Sequence, residues 1–424
     1  MRLRLIPLVA ACGLAPFSAH ATLGVFEHGS GIKALGAGGV SFVNAEDTGA
    51  IAANPASALE LGSRYDLGID LLMPDARARI AGNSLGPDKT YDSDAHHYYF
   101  IPQAGVSFPI APNWAAGITA YAAGIGPDYT QSPYARFASP AVASQSQSAS
   151  LAVKISGLSL ALAHSPWPGQ TFGIAVNFQH ETVDAKGLLP FAGLSQAPDE
   201  VSNVGKHGAF GGSLMVGWSG RLTPWLNAGA SYRSKSYSQK IHQYAGLLPD
   251  SGELELPAIY GAALAFKPLP QLTIETEFSR QQYSSRHAFG NTIDVLAQGK
   301  PLGSSDGPGF GWGDQNAYKL GVVYQATPDL RLRAGYIYAT ASFPPSQTLF
   351  NLLAPATLRN HYTLGATWGF LPRYEVSGYA ALAQQRQVSG HDSIPAAFGG
   401  GEASISNEMF LVGVSIGHRF GLTQ

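Results

Sequence analysis

"FLVGVSIGHRF", residues 410–420, alternates from end to end. One face carries Phe410, Val412, Val414, Ile416 and Phe420, and the other carries Leu411, Gly413, Ser415, Gly417 and Arg419. A period of two puts these sets on opposite sides of a sheet. "YTLGATWGF", residues 362–370, repeats the pattern, with Tyr362, Leu364, Ala366, Trp368 and Phe370 against Thr363, Gly365, Thr367 and Gly369. "LRLRAGYIY", residues 330–338, sets Leu330, Leu332, Ala334, Tyr336 and Tyr338 against Arg331, Arg333 and Gly335. One side is apolar and aromatic, while the other is small or charged. A soluble sandwich also alternates, but its buried face would not be the one carrying Tyr and Trp near both strand ends. Lipid outside and a polar lumen inside account for the pattern.

Composition agrees. Charged residues make up 13% of the 424, about half the share of a soluble domain, and mean hydropathy is +0.01. Such a chain is neither a helical membrane protein nor an ordinary soluble enzyme. A net charge of −2 argues against nucleic acid as a partner. After residue 21 no apolar run is long enough for a transmembrane helix. An exported, charge-poor chain of this kind crosses a membrane only as a closed β-barrel.

Export is indicated by the first residues. Arg2 and Arg4 form a basic start, Leu5 to Phe17 an apolar run, and Ala19-His20-Ala21 a small-x-small cleavage site. The mature chain is expected to begin near Thr22. Cys12 falls within the expected signal peptide, which would leave the mature protein without cysteine. "VAAC", residues 9–12, also resembles a lipoprotein processing site, but the apolar run before it is only a few residues long.

Six tight connections contain proline: "PIAPN" at 109, "SPWPG" at 165, "RLTPW" at 221, "KPLP" at 267, "ATPD" at 326 and "FLPR" at 370. Longer polar, Gly-rich stretches lie between them, such as residues 124–147, 188–207, 291–316 and 386–407. Short periplasmic turns and long outer loops are the outer-membrane arrangement. With both termini periplasmic, six short turns separate seven hairpins and predict 14 strands. Trp114, Trp167, Trp225 and Trp368 fall in or beside the Pro turns, as an aromatic belt requires. The expected division is a signal peptide over 1–21, an N-terminal segment over 22–62 and a transmembrane β-barrel over 63–424. That segment holds "GAIAANPASALELG", residues 49–62, which is unlike anything later. From residues alone, its Asn54-Pro55 pair reads as a turn.

Two long stretches, residues 312–370 and 256–285, resemble the C-terminal half of the FadL/TodX family of outer-membrane hydrophobic-compound transporters. "GSGIKALGAGGVSFVNAEDTGAIAANPASA", residues 29–58, resembles the segment bearing that family's Asn-Pro-Ala motif, here Asn54, Pro55 and Ala56. The resemblance implies an all-β membrane protein, a 14-stranded antiparallel transmembrane β-barrel plugged by a small, mostly helical N-terminal hatch. Substrate would be caught outside, enter an apolar lumenal pocket and leave sideways through a gap at a kink in the third strand. That strand is expected over residues 114–129, with Gly124, Gly126 and Pro127 as the lateral gate, since Gly weakens a ladder and Pro cannot donate to it. The alternative is that these three residues begin an outer loop. The stretch 188–207 looks short for the family's outer capture groove. Lys186 and Arg286 are the candidate partners for a substrate head group, with a solvated rim charge as the plain alternative.

The implied activity is passive transport across the bacterial outer membrane. Long-chain fatty acids are the first substrate reading, and aromatic hydrocarbons are the second. A sixteen-carbon chain gains on the order of 12 kcal/mol in gross transfer energy when buried, which a water-filled porin cannot offer. A general porin and an outer-membrane phospholipase are weaker alternatives. The expected partners are the hydrophobic substrate, outer-membrane lipid and the barrel-assembly machinery. No cofactor, metal or catalytic residue is expected. "GVSIG", residues 413–417, matches the G-x-S-x-G pattern, but Ser415 sits within an alternating strand and not on a strand-to-helix elbow. His96 and His97 are adjacent, so on a strand they point opposite ways. Glu275 and Glu277 share one inward face and Arg331 and Arg333 another. They read either as a head-group lining or as a lumenal salt network that anchors the hatch.

Overall fold

The computed structural model describes residues 24–93 and 95–421. The expected signal peptide and Cys12 lie outside these residues. One sheet holds 17 strands, three of them short pieces: Lys89–Asp92, Asp128–Tyr129 and Tyr237–Ser238. The other fourteen form the wall. They are β1 (Arg64–Ala81), β2 (Tyr99–Ala111), β3 (Trp114–Ile125), β4 (Ala149–Trp167), β5 (Gln170–Lys186), β6 (His207–Thr223) and β7 (Leu226–Arg233), followed by β8 (Ile259–Leu269), β9 (Leu272–Gln281), β10 (Gln315–Gln325), β11 (Leu330–Ala339), β12 (Asn360–Leu371), β13 (Tyr374–Val388) and β14 (Glu402–Arg419). Each pairs antiparallel with the next, and β1 pairs with β14 from Arg64↔Arg419 to Ala81↔Glu402. The sheet therefore closes on itself, with every strand paired to both neighbours over at least part of its length.

The alternation read in the sequence fixes which side faces out. Leu364 and Trp368 are 66% and 57% exposed, whereas Thr363 and Thr367 on the same strand are 2% and 7% exposed. Of the thirteen connections, six are short and fall at the six Pro turns; residues 112–113, 168–169 and 372–373 are examples. Left-handed residues help close them, Asn113 at φ 61° and Arg373 at φ 71° among them. Trp114, Trp167, Trp225 and Trp368 are exposed at this end. An indole there can keep its ring in lipid and its N–H at the head groups.

Residues 24–62 precede the wall. They form short turns and helices, including α1 (Ile32–Gly36) and α2 (Ser57–Glu60), with a 3-10 turn at Thr48–Ala52 between them. Such helices are too short to persist alone. They are held by packing on the small-residue face of the wall. Ile32 and Leu35 bury against Leu72, Ile101 and Tyr379, and Ile51 buries against Ala161, Ala163 and Ala175.

The inward glycines make this approach possible. A Cβ on Gly335 would stand 2.1 Å from Gly38 N, one on Gly229 1.9 Å from Phe42 O, and one on Gly173 2.3 Å from Ala56 N. The small face seen in the sequence is thus contact surface for backbone, a place only Gly can fill. Replacing Gly335 with Val should unseat residues 36–40 while leaving the wall closed. Faster trypsin cleavage after Lys33, with an unchanged heat-modifiable band on a gel, is the expected result.

Candidate functional site

Charged residues on the inward face meet the N-terminal segment in pairs. Arg331 and Arg333 both bind Glu46, with Arg333 Nε donating to Oε2 at 2.9 Å. Lys33 of α1 and Arg64 of β1 share Glu375 of β13, and Arg64 Nη2 also reaches Asp66 at 2.6 Å. Glu277 accepts from the backbone N–H groups of Ser41 (2.7 Å) and Phe42 (3.0 Å), and pairs with Lys319 at 2.6 Å. Glu275 accepts from Asn44 Nδ2 at 2.9 Å. Of the two readings of these charges, anchoring is the one the contacts support. The result is a charged layer between the lumen above and the short-turn end below. Burial alone would raise the Glu46 carboxyl, but Arg333, Arg331 and Lys33 outweigh it and bring it down to about 2.

The Asn-Pro-Ala triplet is tied into the same assembly. Asn54 Nδ2 donates to Phe42 O (2.8 Å) and to Trp218 O of β6 (3.0 Å), while its Oδ1 accepts from Ala56 N (3.1 Å). The side chain thus closes a local turn and crosses to the wall at once. Gly217 of β6 leaves the room, since a Cβ there would lie 2.0 Å from Asn54 Oδ1.

One seam of the wall is incomplete. β2 and β3 pair only from Gly105↔Thr119 down to Ala111↔Trp114. Above that point Tyr99–Ala104 pair with β1 alone, and Ala120–Ile125 pair with β4 alone. Six residues on each side therefore have no ladder between them. Pro102, inside this stretch of β2, lacks an N–H to give. On the other side Gly124 N donates inward, to Val25 O at 3.0 Å.

Two cavities flank the break. The upper one, about 70 Å³, lies under the long loops and is lined by Tyr134, Phe191, Phe289, Phe310, Phe350 and aliphatic residues. No charged side chain lines it, and the Tyr134 hydroxyl is occupied by Leu349 O at 2.9 Å. The loop over 187–206 folds onto this cavity through Leu188, Phe191 and Val201. The lower cavity, about 110 Å³, is bordered by Ile101, Gln103, Ala120, Tyr121 and Ala122, residues of the unpaired stretches. Arg233 of β7 also lines it. Its guanidinium lies over the Tyr121 ring at 4.6 Å, and its buried Nε and Nη2 have no hydrogen-bond partner. Phe26, Glu27, Gly29, Ser30 and Gly31 of the N-terminal segment border the lower cavity, while Val25 belongs to the apolar cluster around the upper one.

The family model of the outer membrane protein transport proteins (OMPP1/FadL/TodX) matches residues 28–420. The chain belongs to this family. Family members are transport channels of the outer membrane for hydrophobic compounds, and this chain is one of them rather than an enzyme. Among solved structures, the Pseudomonas putida toluene transporter TodX is 18% identical, with a TM-score of 0.68 over 94% of this chain and 100% of that one. A Pseudomonas aeruginosa FadL homologue is 15% identical, with a TM-score of 0.66 over 96% and 100%. The Ralstonia pickettii toluene transporter TbuX is 14% identical, with a TM-score of 0.63 over 93% and 99%. At these identities the likeness concerns the fold. No curated protein matches the chain.

Within this OMPP1/FadL/TodX barrel the expected site residues are scattered. Gly124 lies in the unpaired stretch of β3. Gly126 and Pro127 follow it and interrupt the β3–β4 ladder between Ile125↔Val153 and Asp128↔Ser150 without shifting its register. Gly126 adopts φ 150°, and a Cβ there would lie 1.5 Å from Leu151 O. Lys186 is exposed at the long-loop end of β5. Arg286 sits in the loop after β9, bound to Glu255, which Lys235 also holds. The structure does not bring Lys186 and Arg286 together with the cavities. Ser415 faces inward in mid-strand opposite Gly68 and Ser377. His96 Nδ1 bonds Asp128 Oδ2 at 3.0 Å. The sequence reading missed Arg233 and Pro102. Both carried a signal: a charge on the small-residue face of "LNAGASYR", and a proline inside a strand.

Glu46→Gln would leave Arg333 buried without its carboxylate, a loss of about 3 kcal/mol. Hydrogen exchange should then show residues 40–50 losing protection while the wall strands keep theirs. In the unaltered chain the same loss should appear as pH falls from the ordinary carboxyl range toward 2, because the seated Glu46 binds its proton later than a free one.

Proposed function

We propose that this barrel moves long-chain fatty acids and other hydrophobic molecules passively from the cell exterior into the outer-membrane bilayer. They pass through the upper cavity and leave sideways between β2 and β3. The observation that carries this reading is the six-residue break beside the lower cavity. An apolar molecule gains by staying in apolar surroundings. The charged layer beneath offers it nothing and would cost the desolvation of several ion pairs. Lipid, reached through the break, is the downhill direction. Residues 24–62 act as the hatch, with Asn54, Pro55 and Ala56 holding its shape. Gly124 on one side and Pro102 on the other keep the gate from zipping shut. Gly126 and Pro127 loosen its upper end.

Arg233 favours a substrate with a carboxylate. Its buried Nε and Nη2, which have no hydrogen-bond acceptor, suit a bidentate acid group. Arg286 could serve only by exchanging Glu255 for the ligand. The uncharged aromatic lining of the upper cavity favours the second reading, a neutral aromatic hydrocarbon.

Two measurements test the route and the substrate. Gln103→Cys with Tyr121→Cys, joined by a short thiol cross-linker, should lower oleate and toluene uptake at least tenfold, and unlinked protein should keep both. Unchanged uptake after cross-linking would sink the lateral route. Arg233→Leu should cut oleate uptake about tenfold, the value of one charge-assisted bond, and spare toluene. Equal oleate uptake by Arg233→Leu would favour the hydrocarbon reading.

A further inference from the structure

Lys186 takes no part in either cavity, but it does not stand alone. The outward face of β5 runs from Phe172 through Val176 and Phe178, all exposed, to Thr182, Asp184 and Lys186. On β4, Lys154 stands opposite Thr182, and Ser150 stands opposite Lys186. On the other side Thr182 stands opposite Gly208, at the start of β6. His207 turns inward, its ring 6.4 Å from that of buried Tyr244, so Lys206 before it points outward. Lys206 and Asp184 are the charges that act on Lys154. Three lysines thus share one outer face across three adjacent strands.

The strands set the height of this face. Phe172 packs on Trp167 at the short-turn end, with ring centres 6.1 Å apart. Thr182 is ten residues further on, about 33 Å along the strand, or about 25 Å up the barrel axis at a tilt of about 40°. The apolar band of an outer-membrane barrel is itself about 25 Å tall. Phe178, Phe210 and Tyr237, exposed just below this rung, form the aromatic belt of the upper interface. Lys154 therefore lies at the upper edge of the hydrocarbon. Lys206 and Lys186 lie above it, at the level of outer-leaflet head groups.

Elsewhere on the upper rim, cations are matched within the chain. Arg77 reaches Asp75 and Arg79 reaches Asp88, both at 3.1 Å, while Arg280 reaches Asp314 at 2.8 Å and Lys300 reaches Asp306 at 3.2 Å. Among the described residues Lys186 and Lys206 form no ion pair, and both are exposed. Asp184 is the one carboxylate among the described outward positions of this face. Three positive charges therefore stand against one negative charge where the leaflet's own anions lie.

We propose that Lys154, Lys186 and Lys206 bind the phosphate groups of one outer-leaflet glycolipid of the lipid A type, a diphosphorylated disaccharide, whose acyl chains lie on Phe178 and Phe210. An ammonium group binds phosphate as a point charge and demands no fixed orientation. The lysine stems can lie along the apolar wall while their heads reach up. A head with two phosphates engages the whole face, whereas a singly charged phospholipid leaves part of it unmatched. The site is on the outer wall and does not depend on the route through the lumen.

The test uses the full chain in detergent micelles, titrated with lipid A, with its dephosphorylated form and with phosphatidylglycerol, and binding is read by native mass spectrometry. Lys186→Gln with Lys206→Gln should weaken lipid A binding about tenfold or more, while Arg79→Gln, at a matched cation elsewhere on the rim, should change it by less than about twofold. Removing the phosphates should bring the unaltered chain down to the level of the double variant. The heat-modifiable band shows that each barrel is folded. Equal lipid A binding by the double variant and the unaltered chain, or an equal loss with Arg79→Gln, overturns the proposal. So does phosphatidylglycerol held as tightly as lipid A and lost in the same double variant, which would mark a general attraction to anionic lipid.

Discussion

Every backbone N–H and C=O in the hydrocarbon layer must find a partner within the protein. That demand governs the rest of this structure. It requires a closed wall, and the wall's curvature leaves a lumen to fill. It also gives the break between β2 and β3 its meaning. Twelve residues forgo one side of their ladder there. Val25 satisfies one of the freed donors from inside, at Gly124. The N-terminal segment therefore belongs to the wall's own hydrogen-bond accounting, and moving it changes the wall.

The lumen divides by chemistry along its axis. Near the loops, aromatic rings pack edge to face around Phe191 and Trp312. Lower down, Arg, Lys, Asp and Glu pair off against the N-terminal segment. A hydrophobic molecule meets favourable surroundings first and an ionic floor next. The break opens beside the lower cavity, above that floor. On the proposed route, selection between a passing hydrocarbon and water needs no moving part below the break.

Much of this was legible in the residues. The period of two in "FLVGVSIGHRF" and its companions, with six Pro turns, gave the strand number and the facing of each side chain, because lipid imposes one rule on every outward position. The triplet Asn54-Pro55-Ala56 marked the right segment, but its contacts with Phe42 and Trp218 depend on pairs more than 10 and 160 residues apart. The inward glycines were visible as small residues; that they receive backbone, and not water, was not. Arg233 escaped notice because a single charge on an alternating strand looks the same whether it is matched or left bare. Lys186 and Arg286 drew attention as charges near strand ends, where most charges are solvated or matched, as Arg286 is by Glu255.

The rung count also bears on how such a wall fails. The seam between the first and last strands, where the chain itself is discontinuous, runs through 18 matched residues from Arg64 to Ala81. The seam between β2 and β3, joined by a covalent turn, holds six. Pulled apart in the plane of the membrane, the cylinder yields first along this short seam and not where its two ends meet. The seam proposed as the sideways exit is also the cylinder's mechanical weak line.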